Sequence, residues 1–350
     1  MRWLVVFVPV AVALEHLAPD RHLLIFVASG LAIVPLAGWM GHATEHLATR
    51  FGEGIGGLLN ATFGNAAELI IAIAALRAGL YEVVKAALAG AIIGNVLLVF
   101  GASMLVGGLG RPKQEYNAAA ARSQATMLTL AVIALILPAA LRATSGVAEE
   151  SMETLSVLVS VTLLATYALN LVFSLGTHRE LFEGEGDASE AEHGEAWSVR
   201  RSTLVLAAST AAIAWMSEIL VGAIEPAAEG LGLNDVFVGV FVVAVLGNAA
   251  EHFSAITAAQ KDKMDLSLSI AIGSSVQIAL FVAPLLVLLS YVMGPHPMDL
   301  AFRGGLILSI LLSALITGQV SGDGRSDWLR GAQLLAVYLM LGFAFFVLPT

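Results

Sequence analysis

Four glutamates, Glu45, Glu68, Glu218 and Glu251, stand inside long apolar stretches of this chain, and no Lys or Arg lies at comparable depth to pair with them. An ionised acid at the centre of a bilayer costs at least about 2.5–3.5 kcal/mol. Two of the four occur in one pentapeptide written twice. Gly64-Asn65-Ala66-Ala67-Glu68 and Gly247-Asn248-Ala249-Ala250-Glu251 match at all five positions, one copy in each half of the chain. Each asparagine lies three residues before its glutamate and so shares its helix face. The glycine in front weakens the helix and frees backbone carbonyls. Two further polar clusters follow at similar distances: Gly94-Asn95 behind the first copy, and Gly273-Ser274-Ser275-Val276-Gln277 behind the second. Two carboxylates with amide, hydroxyl and carbonyl oxygens, and no sulfur, suit a hard divalent cation such as Ca²⁺. Two bound protons balance the same two charges. A site that crosses the membrane when loaded with the ion or with protons, but not when empty and doubly negative, would exchange one for the other.

The elements that hold these residues follow from composition. Of 350 residues, 58% are hydrophobic and 13% charged, and the mean hydropathy is +0.86. Soluble domains carry about 25% charged residues, so the expectation is an all-α polytopic membrane protein. Apolar runs give eleven transmembrane helices at 2–17, 22–47, 55–78, 83–109, 121–141, 152–175, 201–224, 236–259, 265–292, 299–318 and 327–348. The runs are too long and too continuously apolar for a β-barrel. With the N-terminus in the cytoplasm, twelve of the seventeen basic residues fall on cytoplasmic segments and five outside, which puts the C-terminus outside. The leading MRWLVVFVPVAVAL lacks a cleavage pattern and reads as a retained first span.

The repeats set the organisation: a peripheral first span (1–20), a five-helix repeat of spans 2–6 (21–176), an acidic cytoplasmic linker (177–199) and a second five-helix repeat of spans 7–11 (200–350). The linker holds seven acids between Glu180 and Glu195 and no Lys or Arg; a solvated connection and a cation-collecting segment are both open. Trp39-Met40 in span 2 is echoed by Trp215-Met216 in span 7. Equivalent elements stand five spans apart, an odd number, so the second half is an inverted copy of the first. Inverted repeats with Gly-interrupted polar helices at matching places point to a secondary transporter with a midplane site.

Other chemistries are excluded or weak. The chain has no cysteine, so it has no disulfide, thiolate metal site or Cys nucleophile, and its net charge of −10 disfavours nucleic acid. Gly107-Gly108-Leu109-Gly110 lacks the Lys-Ser/Thr of a phosphate loop, and no nucleotide-binding domain or cofactor motif is present. His42-Ala43-Thr44-Glu45-His46 fits H-x-x-E-H, an inverted zinc-protease pattern, which leaves an intramembrane metalloprotease as a distant alternative. The pattern is absent from the mirrored half and leaves the repeated pentapeptide unexplained. A channel is disfavoured by titratable carboxylates in inverted repeats. The buried amides and hydroxyls have an alternative use as interhelical hydrogen bonds.

GNAAE twice, followed by GN and by GSSVQ, closely resembles the two signature repeats of the calcium/cation antiporter superfamily, and the Ala after GN resembles its calcium/proton exchanger branch. The resemblance covers nearly the whole chain, including PLAGWMGHATEHLA in span 2. It implies alternating access, with no cofactor, that exports cytosolic Ca²⁺ against H⁺. The short loops, the lack of a targeting sequence and the lack of cysteine suit a prokaryotic inner (plasma) membrane. It implies Glu68 and Glu251 as the carboxylates for both ions, with Asn65, Asn248, Asn95, Ser274, Ser275 and Gln277 lining the site. Glu45 and Glu218 would serve proton passage or gating, and His252 would tune proton binding. Glu45 lies six residues after Trp39 and Glu218 three after Trp215, so those two acids are not simple symmetry mates. Na⁺-coupled exchange, or another divalent such as Mn²⁺, is the alternative within this class.

Overall fold

Gly64-Asn65 and Gly247-Asn248 break their spans, and the fold is organised around these two breaks. The computed structural model describes residues 2–51, 53–146, 148–178 and 197–347; the acidic segment 179–196 lies outside them. Helix α1 (Trp3–Leu17) packs on the outside of α2 (His22–Phe51). The expected span 55–78 is two helices, α3 (Glu53–Phe63) and α4 (Ala66–Arg77). Then come α5 (Tyr81–Gly108), α6 (Ala118–Thr144), α7 (Glu149–Thr177) and α8 (Val199–Leu231). The expected span 236–259 is also broken, into α9 (Val238–Gly247) and α10 (Ala249–Gln260), bent by 67°. Helices α11 (Met264–Met293), α12 (Gly304–Ser321) and α13 (Trp328–Phe346) complete the bundle.

Eight of these helices are long and apolar enough to cross a membrane, and the α9–α10 pair taken as one span makes nine among the described residues. The all-α membrane architecture stands. The two broken spans differ from simple rods because Asn65 and Asn248 leave helical geometry in the same way, with φ/ψ of −103°/24° and −94°/5°. The expected start of span ten at 299 is corrected to Gly304. Residues 294–303 are instead pinned as a loop: Asp299 Oδ1 accepts from the Ala301 amide at 2.7 Å, and Ser156 Oγ accepts from the Leu300 amide at 3.0 Å. Capping of this kind competes with helical hydrogen bonding.

Helix α2 packs along α8, and this is the most extensive helix pair in the molecule. Helix α5 is the innermost element, and the start of α5 crosses α9 where Gly90 lies against the Val240 backbone; a Cβ there would sit 2.3 Å from Val240 O. Gly331 of α13 makes the same kind of close crossing on α5, where a Cβ would meet Leu105 N at 2.3 Å. Glycine permits such backbone approach in membrane bundles. Wide π-helical turns at Gly94–Val99 in α5, Val238–Val243 in α9 and Ile278–Val282 in α11 lie on the helices that carry the polar clusters, where such turns often mark functional sites.

The bundle has two ends. At one, Arg77 closes α4, α5 begins, and Tyr81 donates to the His296 carbonyl. At the other, a two-residue ribbon pairs β1 (Gln114–Glu115) with β2 (Arg325–Ser326), an element the sequence reading did not foresee. Gln114 Nε2 there donates to Ala259 O at 2.9 Å and Asp262 Oδ1 at 2.8 Å, and Arg111 Nη2 to Gln260 O at 3.0 Å. The Arg111 guanidinium thus caps the Gln260 carbonyl at the end of α10, and Gln114 adds a second donor to the Ala259 carbonyl, which also accepts from the Asp262 amide. Helix α4 therefore runs from mid-bundle to the Arg77 end, and α10 from mid-bundle to the Arg111 end.

Candidate functional site

Because α4 and α10 both begin in mid-bundle and run apart, their N-termini meet there. Glu68 and Glu251 each occupy the first turn of their helix. The partial positive charge of a helix N-terminus favours an acid at that position. The two carboxylates are close enough to interact electrostatically. Glu68 packs on the other repeat: a Cβ on Gly247 would lie 3.6 Å from Glu68 Cγ. That is ordinary contact distance, so Gly247 abuts the partner repeat's glutamate.

The polar clusters of α5 and α11 close around this pair, but not symmetrically. Asn65 is buried, donates through Nδ2 to Gln277 Oε1, and accepts from Ser274 Oγ at 2.7 Å. This hydroxyl ties the first repeat's asparagine to α11 of the second repeat. Asn248 is fully buried, and its Nδ2 donates to Ala244 O of its own helix at 2.9 Å. Asn95 Oδ1 lies 3.2 Å from His252 Nε2. Three buried polar atoms in this half have no hydrogen-bond partner: Asn248 Oδ1, Asn95 Nδ2 and Glu251 Oε2. Buried polar atoms are almost always satisfied, and these three are gathered around the Glu251 turn.

Of the expected residues, the structure brings together Glu68, Glu251, Asn65, Ser274 and Gln277, with Asn248, Asn95 and His252 beside them. Ser275 turns away: its hydroxyl donates to Ala271 O at 3.0 Å and reaches Ile92 O at 3.5 Å, so it serves the α5–α11 contact. Glu45 and Glu218 are exposed on α2 and α8 and do not enter the cluster. The residues of the zinc-protease pattern do not converge either. His42 Nδ1 lies 3.9 Å from Glu45 Oε2, while His46 stacks on Trp197 with ring centroids 4.9 Å apart. Among the described residues no three His, Asp or Glu side chains form a metal-holding group. Two oxygen-rich acids supplemented by amides and freed carbonyls are a different donor set from that of a resident zinc.

Gln124 of α6 was missed in the sequence. Its Nε2 would lie 4.0 Å from a Cβ on Gly273, at the head of the Ser274 cluster, and its Oε1 is buried without a partner. The available signal was a lone amide inside an otherwise apolar span. Arg77 was read only as an outside charge, yet Nη1 lies 3.4 Å from Glu218 Oε1 on the other repeat.

The profile of the sodium/calcium exchanger protein family matches residues 21–176 and 201–347. The chain is 47% identical to the Ca(2+)/H(+) antiporter of Aphanothece halophytica, over 99% of this chain and 96% of that one. It is 42% identical to the Ca(2+)/H(+) antiporter ChaA of Bacillus subtilis, over 93% and 92%. Its fold superposes on native YfkE with a TM-score of 0.84 at 39% identity, covering 98% of both chains. The H+/Ca2+ exchanger CAX shares the fold at 15% identity, with a TM-score of 0.74 over 98% of this chain and 90% of that one. On these grounds the chain belongs to the sodium/calcium exchanger protein family.

Proposed function

We propose that this protein is a secondary transporter that exchanges Ca²⁺ for H⁺ by alternating access. The observation that carries the reading is the pair of first-turn glutamates within electrostatic reach of each other, with Glu251 Oε2 and Asn248 Oδ1 buried and unpartnered. Two carboxylates so placed repel when both are ionised, and a dehydrated divalent cation or two protons remove that charge. Loading by one expels the other, which couples the two fluxes. The names of the similar antiporters agree with this reading.

In this reading Glu68 and Glu251 bind Ca²⁺ and protons in turn. Asn65, Ser274 and Gln277 hold the first half of the site, and Asn248 Oδ1 supplies a neutral oxygen in the second. The Asn95–His252 contact orients the Glu251 turn, while Glu45 and Glu218 act at the two mouths. The α3–α4 pair and α1 complete eleven spans. The halves 21–176 and 200–350 are inverted copies joined by 177–199, and the Arg111 end faces the cytoplasm of a prokaryotic cell, with the N-terminus inside.

The test is flux in sealed proteoliposomes. With sodium absent, a pH gradient is imposed and Ca²⁺ uptake is followed with an internal dye. The expected result is uptake that collapses when a protonophore with valinomycin dissipates the gradient. Glu68→Gln and Glu251→Gln should each abolish exchange with normal membrane insertion. Uptake that begins only with an outward sodium gradient, or substantial exchange in either variant, would overturn the mechanism.

A further inference from the structure

The two halves are near copies, yet the two ends of the bundle are not equivalent. At the Arg77 end α4 packs closely on α8, whereas the mirrored pair at the other end, α10 with α2, is only loosely in contact. Arg77, on the last turn of α4, reaches across the repeats to Glu218 of α8. Together they border a cavity of about 430 Å³ that is also lined by Ala74, Val221, Gly222 and Glu225. Glu218 and Glu225 lie two helical turns apart on one face of α8, so Arg77 stands beside two carboxylates.

The register that aligns the two pentapeptides places Gln260, a neutral residue, where Arg77 stands in the first half. Glu218 is matched by His42 in the Trp-Met register, or by Glu45 if Thr44-Glu45 is aligned with Ser217-Glu218. Both candidates are on the exposed face of α2, where they meet each other at 3.9 Å. In either register the cation has no mirror counterpart.

The geometry points to Arg77 as a positioning residue: its ion pair with Glu218 is a one-sided latch that biases the carrier toward the state closed at the Arg77 end. The inference rests on the alternating-access reading above. Perfectly mirrored halves would make the two end-closed states equal in energy. The Arg111 end has ties of its own, from Arg111 and Gln114 to α10, but among the described residues no ion pair spans the α10–α2 seam, so a pair across one mirrored seam only removes that equality. Both partners are more than half exposed, at 58% and 62%, so the bias is of the size an exposed ion pair carries, up to about fivefold in the ratio of the two states. Breaking α4 away from α8 is the movement that would open this end, and the pair lies across that seam.

The chain has no native cysteine, so single-cysteine reporters have no background. Val221, 6% exposed and lining the cavity, reports opening at the Arg77 end, and Asn60, exposed on α3, reports the other. Purified protein in detergent, without Ca²⁺ or a gradient, is labelled with a thiol-reactive dye. In an Arg77→Gln background, Val221→Cys should react up to about fivefold faster and Asn60→Cys more slowly. Arg77→Glu, which sets a third carboxylate beside Glu218 and Glu225, should exaggerate both changes. Combining it with Glu218→Arg should restore the original rates. Unchanged rates, or rates that rise at both reporters, or no restoration by the charge swap, would overturn the latch. Labelling needs no transport, so this result and the flux result fail separately.

Discussion

Gly90→Ala tests whether the α5–α9 crossing positions the site. A Cβ on Gly90 would stand 2.3 Å from Val240 O, 2.5 Å from Val240 Cα and 2.8 Å from Val240 C, all backbone. Ordinary contact begins near 3.4 Å, so α9 must withdraw by about 1 Å; no side-chain rotation relieves a backbone clash. Overpacking of this kind costs about 1–3 kcal/mol. Helix α9 leads directly into Gly247 and Glu251, so the displacement reaches the proposed ion site, where a misplacement of about 1 Å costs roughly 100-fold in a precisely arranged centre. The control is Gly318→Ala in α12, where a Cβ meets nothing within 4 Å. Thermal unfolding in detergent and Ca²⁺ flux in proteoliposomes are measured side by side. Gly90→Ala should unfold at lower temperature and lose most transport, while Gly318→Ala should match the parent. If Gly90→Ala were as stable and as active as Gly318→Ala, the crossing would not be a close backbone contact and the argument would fail.

Three further outcomes are expected. Ser274→Ala removes the hydroxyl that donates to Asn65 Oδ1 and should raise the Ca²⁺ concentration for half-maximal flux by roughly 2–10-fold, without loss of protein. Burial alone would raise the Asp299 carboxyl, but the Lys85 ammonium and its hydrogen bond, the Ala301 amide and Arg142 together hold it below the usual range. Its folded value is therefore below its unfolded one, so its contribution is present above the unfolded aspartate value and disappears as pH falls through the folded one. Melting temperatures scanned from mildly acidic pH down through the aspartate range should fall less steeply in Asp299→Asn than in the parent, and Lys85→Met, which leaves Asp299 with Arg142 and the Ala301 amide, should be less stable than the parent at neutral pH. Finally, Gln114→Ala removes one of the two donors to the Ala259 carbonyl, leaving the Asp262 amide; exchange of amide hydrogens in the last turn of α10 should accelerate by about 2–10-fold, the equivalent of about 0.5–1.5 kcal/mol, while α4 is unaffected.

The paired pentapeptides made the centre of the molecule legible, because a charge in an apolar span is expensive and a duplicated one is more so. The same two glycine–asparagine steps announced that the helices weaken there, although not that the break would divide span three and bend span eight. What the sequence did not disclose was pairing between distant parts of the chain. Lys85 and Arg142 read as topological markers outside the membrane, yet both close on Asp299, at 2.8 and 2.7 Å, from the opposite half of the molecule. Lys85 is 4% exposed within α5, and nothing in its local sequence distinguishes it from an interfacial lysine. The different fates of Ser274 and Ser275 were equally hidden, since they depend on the rotation of α11 about its axis. Glu45 and Glu218 were correctly seen as acids in apolar helices, but a helix has outward faces as well as inward ones, and theirs is exposed.

The ribbon between Gln114–Glu115 and Arg325–Ser326 bears on how the protein is made. Its two strands leave the ribosome far apart in time, because most of the chain lies between Gln114 and its partner Ser326. At about 5–20 residues per second, that interval is roughly 10–40 s, during which the turn after α5 waits for its opposite strand. Ala259, whose carbonyl accepts from Gln114, is synthesised in between, so that contact has its residues available before the ribbon does. Assembly at that end is thus ordered by synthesis. A nascent chain arrested before Arg325 already contains both glutamates but lacks the strand that closes the ribbon.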